Sequence, residues 1–346
     1  MLYINGRFLT QPLTGVNRFA YEITKALNKC GYDFIVICPR QEICDEYDVS
    51  GIEIIKYGFG KSHIWELFSL PFFFFNKSND ILISFSGLGP IAVRNKITTI
   101  HDLAHRENPR WYSFFYRMFY KFVEPLVVNT CRKIITVSEF SKSEILKYYP
   151  GINPYDIEEI YNACNNSWGC DPIKEPAHSN YFLCVSSLDP RKNFPILLSS
   201  FSQLPDLNLK VVGGKNNVFN KQELKVPENV EFLGRVSDDE LADLYTNAKA
   251  FIYPSLYEGF GLPPIEAAHF GCPVLLSDIP VFKEICRDSA IYFDPNSPES
   301  IIEAIDRVNS MNKDLRAEMI QKAIQNTERF TWDSSAKKLL MLLKQL

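Results

Sequence analysis

Short runs rich in β-branched residues alternate with helical patterns along almost the whole of this chain. This alternation is typical of parallel βαβ units, in which a helix returns the chain to the start of the next strand. The fold class is therefore predicted to be α/β. The predicted strands are LYIN, DFIVICP, IEIIKY, ILISFS, KITTIHD, KIITVSE and IEEIY in the first half, and YFLCVSSL, LKVVGG, VEFLGRV, AFIYPSL, PVLLSDI and AIYFDP in the second.

A polar, proline-bearing stretch from Asn165 to Asn180 separates the two series of strands and has the composition of a linker. A chain of 346 residues is long enough for two cores, so we expect two Rossmann-like domains. Helix starts are marked by capping residues. They are Ser138 or Ser141 for the helix SKSEILKYY, Ser237 with Glu240 before LADLYTNA, and Ser297 with Pro298 before ESIIEAIDRV.

Composition excludes several classes of protein. The formal net charge of −4 and the pI near 5.8 argue against a nucleic-acid partner. Nine cysteines without a CxxC pair or a signal peptide indicate reduced thiols in a cytoplasm. The longest apolar stretch, IWELFSLPFFFF, is too short to span a membrane, and it contains Glu66 and Pro71.

The sequence YPSLYEGFGLPPIE places a glycine turn between a strand and a helix, with Glu258 and Glu266 eight positions apart. Gly259, Phe260 and Gly261 form the turn, whose glycines let the backbone approach a ligand closely. The first N–H groups of the following helix lack intrahelical partners and attract phosphate. The two carboxylates can accept hydrogen bonds from sugar hydroxyls. This arrangement predicts a sugar-nucleotide site.

This segment resembles the E-x7-E region of retaining glycosyltransferases of family 4, and the resemblance continues through GCPVLLSDIPVFKEICRDSAIYFDPNSPESIIEAI. It implies the GT-B fold, with two Rossmann-like domains facing a central cleft. Residues 1–168 would be the acceptor-binding domain, with the helix at about 333–346 packing back onto it. Residues 169–332 would bind the nucleotide sugar.

The resemblance also implies an activity, which is the transfer of a hexose from a nucleotide-diphosphate sugar to a hydroxyl acceptor. The anomeric configuration would be retained, and neither a cofactor nor a metal would be required. Glu258 would orient the donor sugar, and Glu266 would bind the ribose or the sugar. No protein nucleophile is expected, although a covalent role for Glu258 stays open.

A histidine lies at the carboxyl end of a predicted strand, at His101 in ITTIHDLAH. Its imidazole can bind a sugar hydroxyl, its carbonyl can support developing positive charge, and Asp102 can fix its tautomer. The resemblance places it beside the donor sugar. A metal site using His101 and His105 is an alternative, but the pattern lacks a third ligand.

Two cations follow another predicted strand, Arg191 and Lys192 in DPRKN. Arginine binds a diphosphate bidentately and lysine acts as a point charge, so both suit a leaving diphosphate. Family members often carry an arginine where this chain has Ser187, and Arg191 is the natural substitute. A solvated basic turn is the alternative.

Four further residues complete the predicted donor site. Gly15 lies in the turn TGVNRF, where family members often have two adjacent glycines and this chain has only one. Asn162 matches a domain-boundary asparagine. Arg235 and Val236, in FLGRV, match a turn that contacts the nucleotide base. Each of them also has an ordinary structural interpretation as a turn or surface residue.

Several functions remain open at this stage. A glycoside hydrolase would use two carboxylates but leaves the cations unexplained. A non-catalytic sugar-nucleotide-binding partner subunit or a nucleotide-sugar epimerase could share the fold. The favoured hypothesis is a mannosyltransferase of bacterial surface polysaccharide (O-antigen, lipopolysaccharide or capsule) that takes mannose from a GDP-linked or UDP-linked donor, GDP-mannose being the slight favourite.

The acceptor is expected to be a saccharide or lipid-linked oligosaccharide at the cytoplasmic face of the membrane. Two aromatic stretches, IWELFSLPFFFF and WYSFFYRMFYKFVEPLVV, suggest peripheral contact, with Arg117 and Lys121 facing anionic lipid. The alternative is that both stretches are helices packed into the core.

Overall fold

The structure is a computed structural model that describes residues 1–164, 180–213 and 225–346. The predicted linker lies outside the described residues except for Asn180, as does the predicted boundary between residues 168 and 169. The chain divides into two compact units. Unit 1 comprises Met1–Leu103, Phe115–Asn162 and Thr331–Leu346, and unit 2 comprises Ala104–Phe114 and Ala163–Phe330.

Unit 1 contains a fully parallel sheet. Its described strands are β1 Leu2–Asn5, β2 Ile35–Cys38, β3 Ile54–Lys56, β4 Ile81–Ser84, β5 Lys96–Thr99, β6 Lys133–Thr136 and β7 Ile157–Glu159. They lie side by side in the order β3-β2-β1-β4-β5-β6-β7. The direction of winding therefore reverses between β1 and β4, which pair in parallel.

Unit 2 contains a second parallel sheet of the same kind. Its described strands are β8 Tyr181–Val185, β9 Asn208–Val212, β10 Val230–Gly234, β11 Ala250–Tyr253, β12 Val274–Ser277 and β13 Ile291–Phe293. Their order is β10-β9-β8-β11-β12-β13, so the winding reverses between β8 and β11. All thirteen predicted strands are confirmed, and with them the α/β fold class.

Helices connect most of these strands. The described α-helices are α1 Gly15–Lys29, α2 Ser62–Ile64, α3 Leu70–Phe74, α4 Ala104–Glu107, α5 Phe114–Val128, α6 Glu139–Tyr148, α7 Phe194–Ser202, α8 Asp238–Asn247, α9 Leu262–His269, α10 Pro280–Cys286, α11 Pro298–Asn309, α12 Lys313–Thr327 and α13 Trp332–Lys344. A π-helix at Trp65–Ser69 joins α2 to α3, and short 3-10 turns occur at Gly6–Thr10, Pro109–Trp111, Pro154–Asp156 and Pro190–Lys192.

The predicted capping residues begin these helices. Ser138, rather than Ser141, caps α6, because its side chain accepts a hydrogen bond from the Ser141 backbone N–H at 3.0 Å. Ser237 and Glu240 form the reciprocal capping box of α8. Their side chains accept hydrogen bonds from two backbone N–H groups that have no partner within the helix.

The last helix, α13, packs within unit 1. Its Trp332 ring lies 5.9 Å from the Phe19 ring of α1, measured between centroids. The Ser335 hydroxyl donates to the Tyr161 carbonyl at 2.7 Å. These contacts explain why the chain's end belongs to the same compact unit as its beginning.

Both sheets are buried in apolar side chains on their two faces, as parallel sheets require. Ile83 in β4 and Leu275 in β12 are fully buried. None of the described cysteines forms a disulfide. No helix in the described ranges has both the length and the apolar character needed to cross a bilayer.

Leu275→Ala should lower the free energy of unfolding by about 2–5 kcal/mol, because it leaves a cavity in the core of unit 2. Urea unfolding followed by circular dichroism measures the change. The matched control is Leu315→Ala in α12, where the side chain is 54% exposed and the change should stay within about 0.5 kcal/mol. Equal losses in the two variants would contradict the assigned core.

Candidate functional site

Two loops of unit 2 emerge side by side where its strand order reverses. One follows β8 and contains the 3-10 turn Pro190–Lys192, and the other follows β11 and contains Glu258. The Leu256 backbone N–H donates to the Arg191 carbonyl at 2.8 Å, which ties the loops together. Ligands of doubly wound sheets bind outside the carboxyl ends of the strands at such a reversal.

Arg191, Lys192 and Glu258 form a charged cluster between these loops. The Lys192 Nζ donates to Glu258 Oε1 at 2.5 Å, and the Arg191 Nη1 donates to Oε2 at 2.9 Å. Each carboxylate oxygen of Glu258 therefore faces one cation. The structure thus brings together three of the predicted site residues from segments 66 residues apart.

Two other groups hold this cluster in place. The Lys192 Nζ also donates to the Tyr253 hydroxyl at 2.6 Å, at the last residue of β11. The Arg191 Nε lies 3.4 Å from Asp189 Oδ1. Lys192 and Glu258 are only 6% and 7% exposed, so the charges interact at low dielectric.

Burial and neighbouring charge act in opposite directions on Glu258. Burial alone would raise the pKa of its carboxyl group, but the Lys192 and Arg191 charges outweigh that effect and lower the pKa to about 2. Burial and the adjacent Arg191 charge lower the pKa of Lys192. Glu258 is therefore a carboxylate over the whole physiological pH range.

Local backbone geometry places Lys192 in this cluster. Asn193 ends the 3-10 turn with φ 59°, in the left-handed region that asparagine tolerates better than most residues. Its side chain donates to the Pro295 carbonyl at 2.6 Å. The turn lies at the end of the loop that follows β8, and α7 begins directly after it. The short sequence PRKN therefore determines where the Lys192 side chain points.

Only glycine fits at position 261, in the turn before α9, for steric reasons. Its φ is 102°, and a Cβ there would lie 2.8 Å from the Phe282 ring. α9 begins directly after it. Gly259 and Phe260 lie in the same turn, and the Phe260 ring packs edge-on against Phe330 at 5.5 Å.

Glu266 lies in α9 and contacts a different group from Glu258. It is 6% exposed and its Oε2 accepts a hydrogen bond from the Tyr245 hydroxyl of α8 at 3.0 Å. Burial and the Glu266 charge raise the pKa of Tyr245 well above its ordinary value, which keeps it a neutral donor. The predicted ribose-binding role of Glu266 stays a prediction.

In unit 1, His101 lies beyond the carboxyl end of β5. Its Nε2 contacts the Phe85 carbonyl at 2.8 Å, and since a carbonyl only accepts, Nε2 carries the proton. Nδ1 is therefore the acceptor nitrogen. Burial lowers the pKa of His101, although the Phe85 carbonyl and Asp102 oppose this effect, so the ring is neutral near pH 7. The Phe85 carbonyl thus fixes the tautomer, a role the sequence had assigned to Asp102.

The start of α1 lies at the same edge of the first sheet as His101. The Ser86 hydroxyl donates to the Asn17 side-chain oxygen at 2.7 Å, and Ser86 follows Phe85 in the loop after β4. Gly15 is the first residue of α1, and within the described part of the chain no atom beyond its neighbours and its own helix backbone lies within 4 Å of the position of a Cβ there. The backbone at Gly15 is therefore open to a ligand.

The remaining predicted residues lie at the ends of strands. Asn162, 6% exposed, follows β7 at the end of a segment of unit 1. Arg235 is exposed and Val236 half-buried, directly after Gly234 ends β10 with φ 74°. The structure gives neither Arg235 nor Val236 a contact with the Glu258 cluster.

Sequence analysis missed two tyrosines of this site. Tyr253 binds Lys192, and Tyr245 binds Glu266, yet both lie in apolar patterns and are fully or almost fully buried. The only sequence signal is a tyrosine where phenylalanine would serve packing equally well, because a buried hydroxyl needs a partner. Within the described ranges, no group of three or more His, Cys, Asp and Glu side chains could hold a metal.

The fold and this site define a class of protein with two Rossmann-like units and an ion cluster at a topological switch point. The sequence model described as Glycosyltransferase Family 4 matches residues 13–168, and the model described as Glycosyl transferases group 1 matches residues 171–326. Together the two matches extend over most of the chain. The chain belongs to the glycosyltransferase group 1 and family 4 proteins.

Two curated relatives are similar to this chain. The O-antigen chain mannosyltransferase RfbU of Salmonella typhimurium is 35% identical over 63% of this chain and 62% of its own length. O-antigen chain mannosyltransferase B of Escherichia coli is 25% identical over 93% of this chain and 94% of its own length. The chain thus spans slightly less than two thirds of the first relative and nearly all of the second.

Solved structures confirm the GT-B fold class. WaaG, a glycosyltransferase involved in lipopolysaccharide biosynthesis, superposes with a TM-score of 0.73 at 15% identity, covering 98% of both chains. Anabaena HepE in complex with UDP and glucose superposes with a TM-score of 0.73 at 15% identity, covering 100% of this chain and 99% of that one. At these identities the likeness concerns the fold alone.

Glu258→Gln should reduce the free energy of unfolding by about 3–5 kcal/mol near neutral pH, because it removes the carboxylate that contacts the buried Lys192 cation and one of the two carboxylates beside Arg191. The pKa of Glu258 falls from 4.5 to about 2 on folding, so its contribution is complete above pH 4.5 and disappears as the pH falls towards 2. The difference between the wild type and the variant should shrink over that interval.

Urea unfolding at several pH values measures this difference. Lys313→Gln, an exposed site in α12, is the control and should follow the wild type at every pH. A difference between wild type and Glu258→Gln that does not change between pH 5 and 2 would contradict the ionised cluster.

Proposed function

We propose that this chain transfers mannose, with retention at the anomeric carbon, from a nucleotide-diphosphate sugar to a saccharide acceptor of O-antigen assembly. The observation that carries the proposal is the buried cluster of Glu258 with Arg191 and Lys192 at the switch point of unit 2. The reaction class follows from family membership. The sugar and the pathway are supported by the names of the two relatives.

The cations suit a diphosphate leaving group. Negative charge builds up on the diphosphate as the glycosidic bond breaks, and donors fixed in advance lower the barrier most. A guanidinium carries five N–H donors, so Arg191 can hold both Glu258 and a phosphate oxygen. The backbone at the start of α9, around Gly259 and Gly261, supplies further donors in the proposed complex.

Glu258 is proposed to orient the donor sugar through its hydroxyl groups. A carboxylate with a pKa of about 2 is ionised near neutral pH and cannot act as the general acid that a glycoside hydrolase needs. Two cations on its oxygens also reduce its nucleophilicity. These properties favour a hydrogen-bond acceptor over a hydrolytic or a covalent catalyst.

His101 is proposed to act as a neutral acceptor on the reacting face of the sugar. Its Nε2–H is used by the Phe85 carbonyl, so Nδ1 is the nitrogen that can accept a hydrogen bond from a sugar hydroxyl. A neutral ring also avoids repulsion of the positive charge that develops at the anomeric carbon. Unit 1, which contains His101, is proposed to bind the acceptor.

GDP-mannose is the proposed donor. The mannosyltransferase names of the relatives favour mannose, while the similar fold of HepE was solved with UDP, so the base needs a direct test. We propose that Arg235 and Val236, which follow β10, contact the base. Asn162 and Glu266 are proposed to contact other parts of the nucleotide.

A saturating donor should stabilise the protein by about 2.7 kcal/mol at 100 times its dissociation constant. Thermal shift with GDP-mannose, UDP-glucose and dTDP-glucose measures this, and we expect GDP-mannose to raise the melting temperature most. Glu258→Ala and Lys192→Ala should lose the shift, whereas the exposed Lys313→Ala should keep it. No shift with any sugar nucleotide would refute the proposed donor site.

A second assay separates transfer from the two other functions. A transferase consumes GDP-mannose only when an acceptor is present, an epimerase changes the sugar without one, and a non-catalytic binding subunit does neither. Chromatography of the nucleotide sugars with and without a membrane extract as acceptor source distinguishes the three. Acceptor-independent epimerisation would overturn the proposal.

Peripheral contact with the cytoplasmic face of the membrane is proposed for two aromatic segments of unit 1. The segment from α2 to α3 buries Trp65, Leu70 and Phe74, which confirms part of the core-packing alternative. Several other large apolar side chains of these segments are exposed. They are Ile64, Phe68, Phe72 and Phe75, together with Phe115, Phe122 and Leu126 on α5.

The charges on these segments favour an anionic surface. Both acids, Glu66 and Glu124, are 1% exposed, so the acidic groups are turned inwards. Lys121 is exposed and Arg117 half-buried on α5. An apolar, aromatic surface with cationic side chains matches a leaflet that contains anionic lipid.

Arg117→Gln with Lys121→Gln should reduce binding to vesicles of phosphatidylglycerol and phosphatidylcholine several-fold, since each cation near such a surface contributes about 1 kcal/mol. Vesicle co-sedimentation measures the bound fraction. Arg307→Gln with Lys313→Gln, which removes the same charge from exposed sites of unit 2, should leave binding unchanged. Unchanged partitioning of the first variant would contradict the proposal.

A further inference from the structure

A buried polar cluster lies at the switch point of the first sheet, outside the donor site. Asn5 ends β1 and Ser84 ends β4, the two strands between which the order reverses. The Asn5 amide donates to Ser84 Oγ at 3.1 Å and to Glu66 Oε1 at 2.8 Å. This position corresponds in unit 1 to that of Glu258 in unit 2.

Arg7 joins this cluster directly after β1. Its Nη1 lies 3.3 Å from Glu66 Oε2 and donates to Ser62 Oγ at 3.3 Å. Burial raises the pKa of Glu66, but the Arg7 charge together with the His63 and Asn5 contacts outweighs burial and lowers the pKa, so Glu66 is a carboxylate. The Arg7 residue is 6% exposed, and its Nε has no hydrogen-bond partner among the described residues. Arg7 and Glu66 therefore form a buried ion pair that is largely closed to solvent.

An aromatic platform adjoins the cluster. We define it as His63, Tyr116, Phe119 and Tyr120, all of them half-buried. The His63 ring lies 4.6 Å from the Phe119 ring, and Tyr116 stacks on Tyr120 at 4.3 Å, one turn apart on α5. His63 also connects the platform to the cluster, because its Nδ1 lies 3.1 Å from Glu66 Oε2.

The backbone that carries this site is irregular. Ser62 has φ 51°, an unfavourable value for a residue other than glycine, and the π-helix Trp65–Ser69 follows it. Both features are uncommon and occur preferentially at functional sites. They turn His63 towards α5 while Glu66 stays beside Arg7.

We propose that the aromatic platform binds the acceptor saccharide, and that the buried Asn5–Arg7–Glu66 cluster holds His63 of the platform in place. A sugar ring has an apolar C–H face and a rim of hydroxyls, so it suits stacked rings flanked by fixed polar groups. The inference rests on the proposed glycosyltransferase function and adds residues for its second substrate. The saccharide lies on the same helix α5 that carries the proposed membrane-facing side chains, which suits an acceptor attached to a lipid.

The test measures saccharide binding to the full chain separately from donor binding. Saturation-transfer NMR uses methyl α-mannoside and mannotriose as probes. Tyr116→Ala and Phe119→Ala should weaken mannotriose binding at least tenfold, while the thermal shift with GDP-mannose is retained and shows that the variants are folded. Tyr116→Phe, which keeps the ring, should restore binding, and Tyr155→Ala, an aromatic residue 88% exposed elsewhere in unit 1, should bind as the wild type does.

The outcomes separate the two proposals. Loss of mannotriose binding in the two platform variants, with the donor shift retained, supports the platform. Equal binding by these variants and the wild type overturns it, as does a wild type that responds to GDP-mannose but binds neither probe. Absence of any donor shift in the wild type would instead count against the proposed function itself.

Discussion

The pairing of one carboxylate with two cations at the switch point of unit 2 is the interaction on which the rest of the site depends. Glu258 contacts Lys192 and Arg191 with one oxygen each, and both Glu258 and Lys192 are more than nine-tenths buried. Removing Glu258 would leave the buried Lys192 charge without the carboxylate that it contacts. The loops after β8 and β11 are consequently held in one geometry before any ligand arrives, which is the preorganisation that electrostatic catalysis requires.

Unit 1 also contains a buried ion pair at its switch point, but the groups around it differ. Arg7 and Glu66 are paired beside Asn5 and Ser84, again where the strand order reverses. Here the neighbouring surface is aromatic rather than a glycine turn before a helix. One unit therefore offers cations and backbone N–H groups, which suit phosphate, and the other offers rings and fixed polar groups, which suit a saccharide. Family membership fits this division between donor and acceptor.

Much of the fold could be predicted because parallel strands are continuous, apolar and bounded by polar turns. The strands from LYIN to AIYFDP were located correctly, and the capping box at Ser237 and Glu240 formed as expected. The pattern was less informative for the segment Ile64–Phe75. Its helix contains a π-helical turn that buries Trp65 and exposes Phe68 and Phe72, and no simple period predicts that division.

The sequence by itself determined which residues could form a donor site: two glutamates around a glycine turn, two adjacent cations and a strand-end histidine. Their chemistry depends on residue type and local spacing, which the sequence contains. Only the tertiary structure decided their pairing, because Lys192 and Glu258 meet through strands that are adjacent in space and distant in the chain. The tertiary structure also showed that the Phe85 carbonyl fixes the tautomer of His101 and that Arg7 pairs with Glu66. The partners in each pair are at least 16 residues apart in the chain, so packing decides whether they meet.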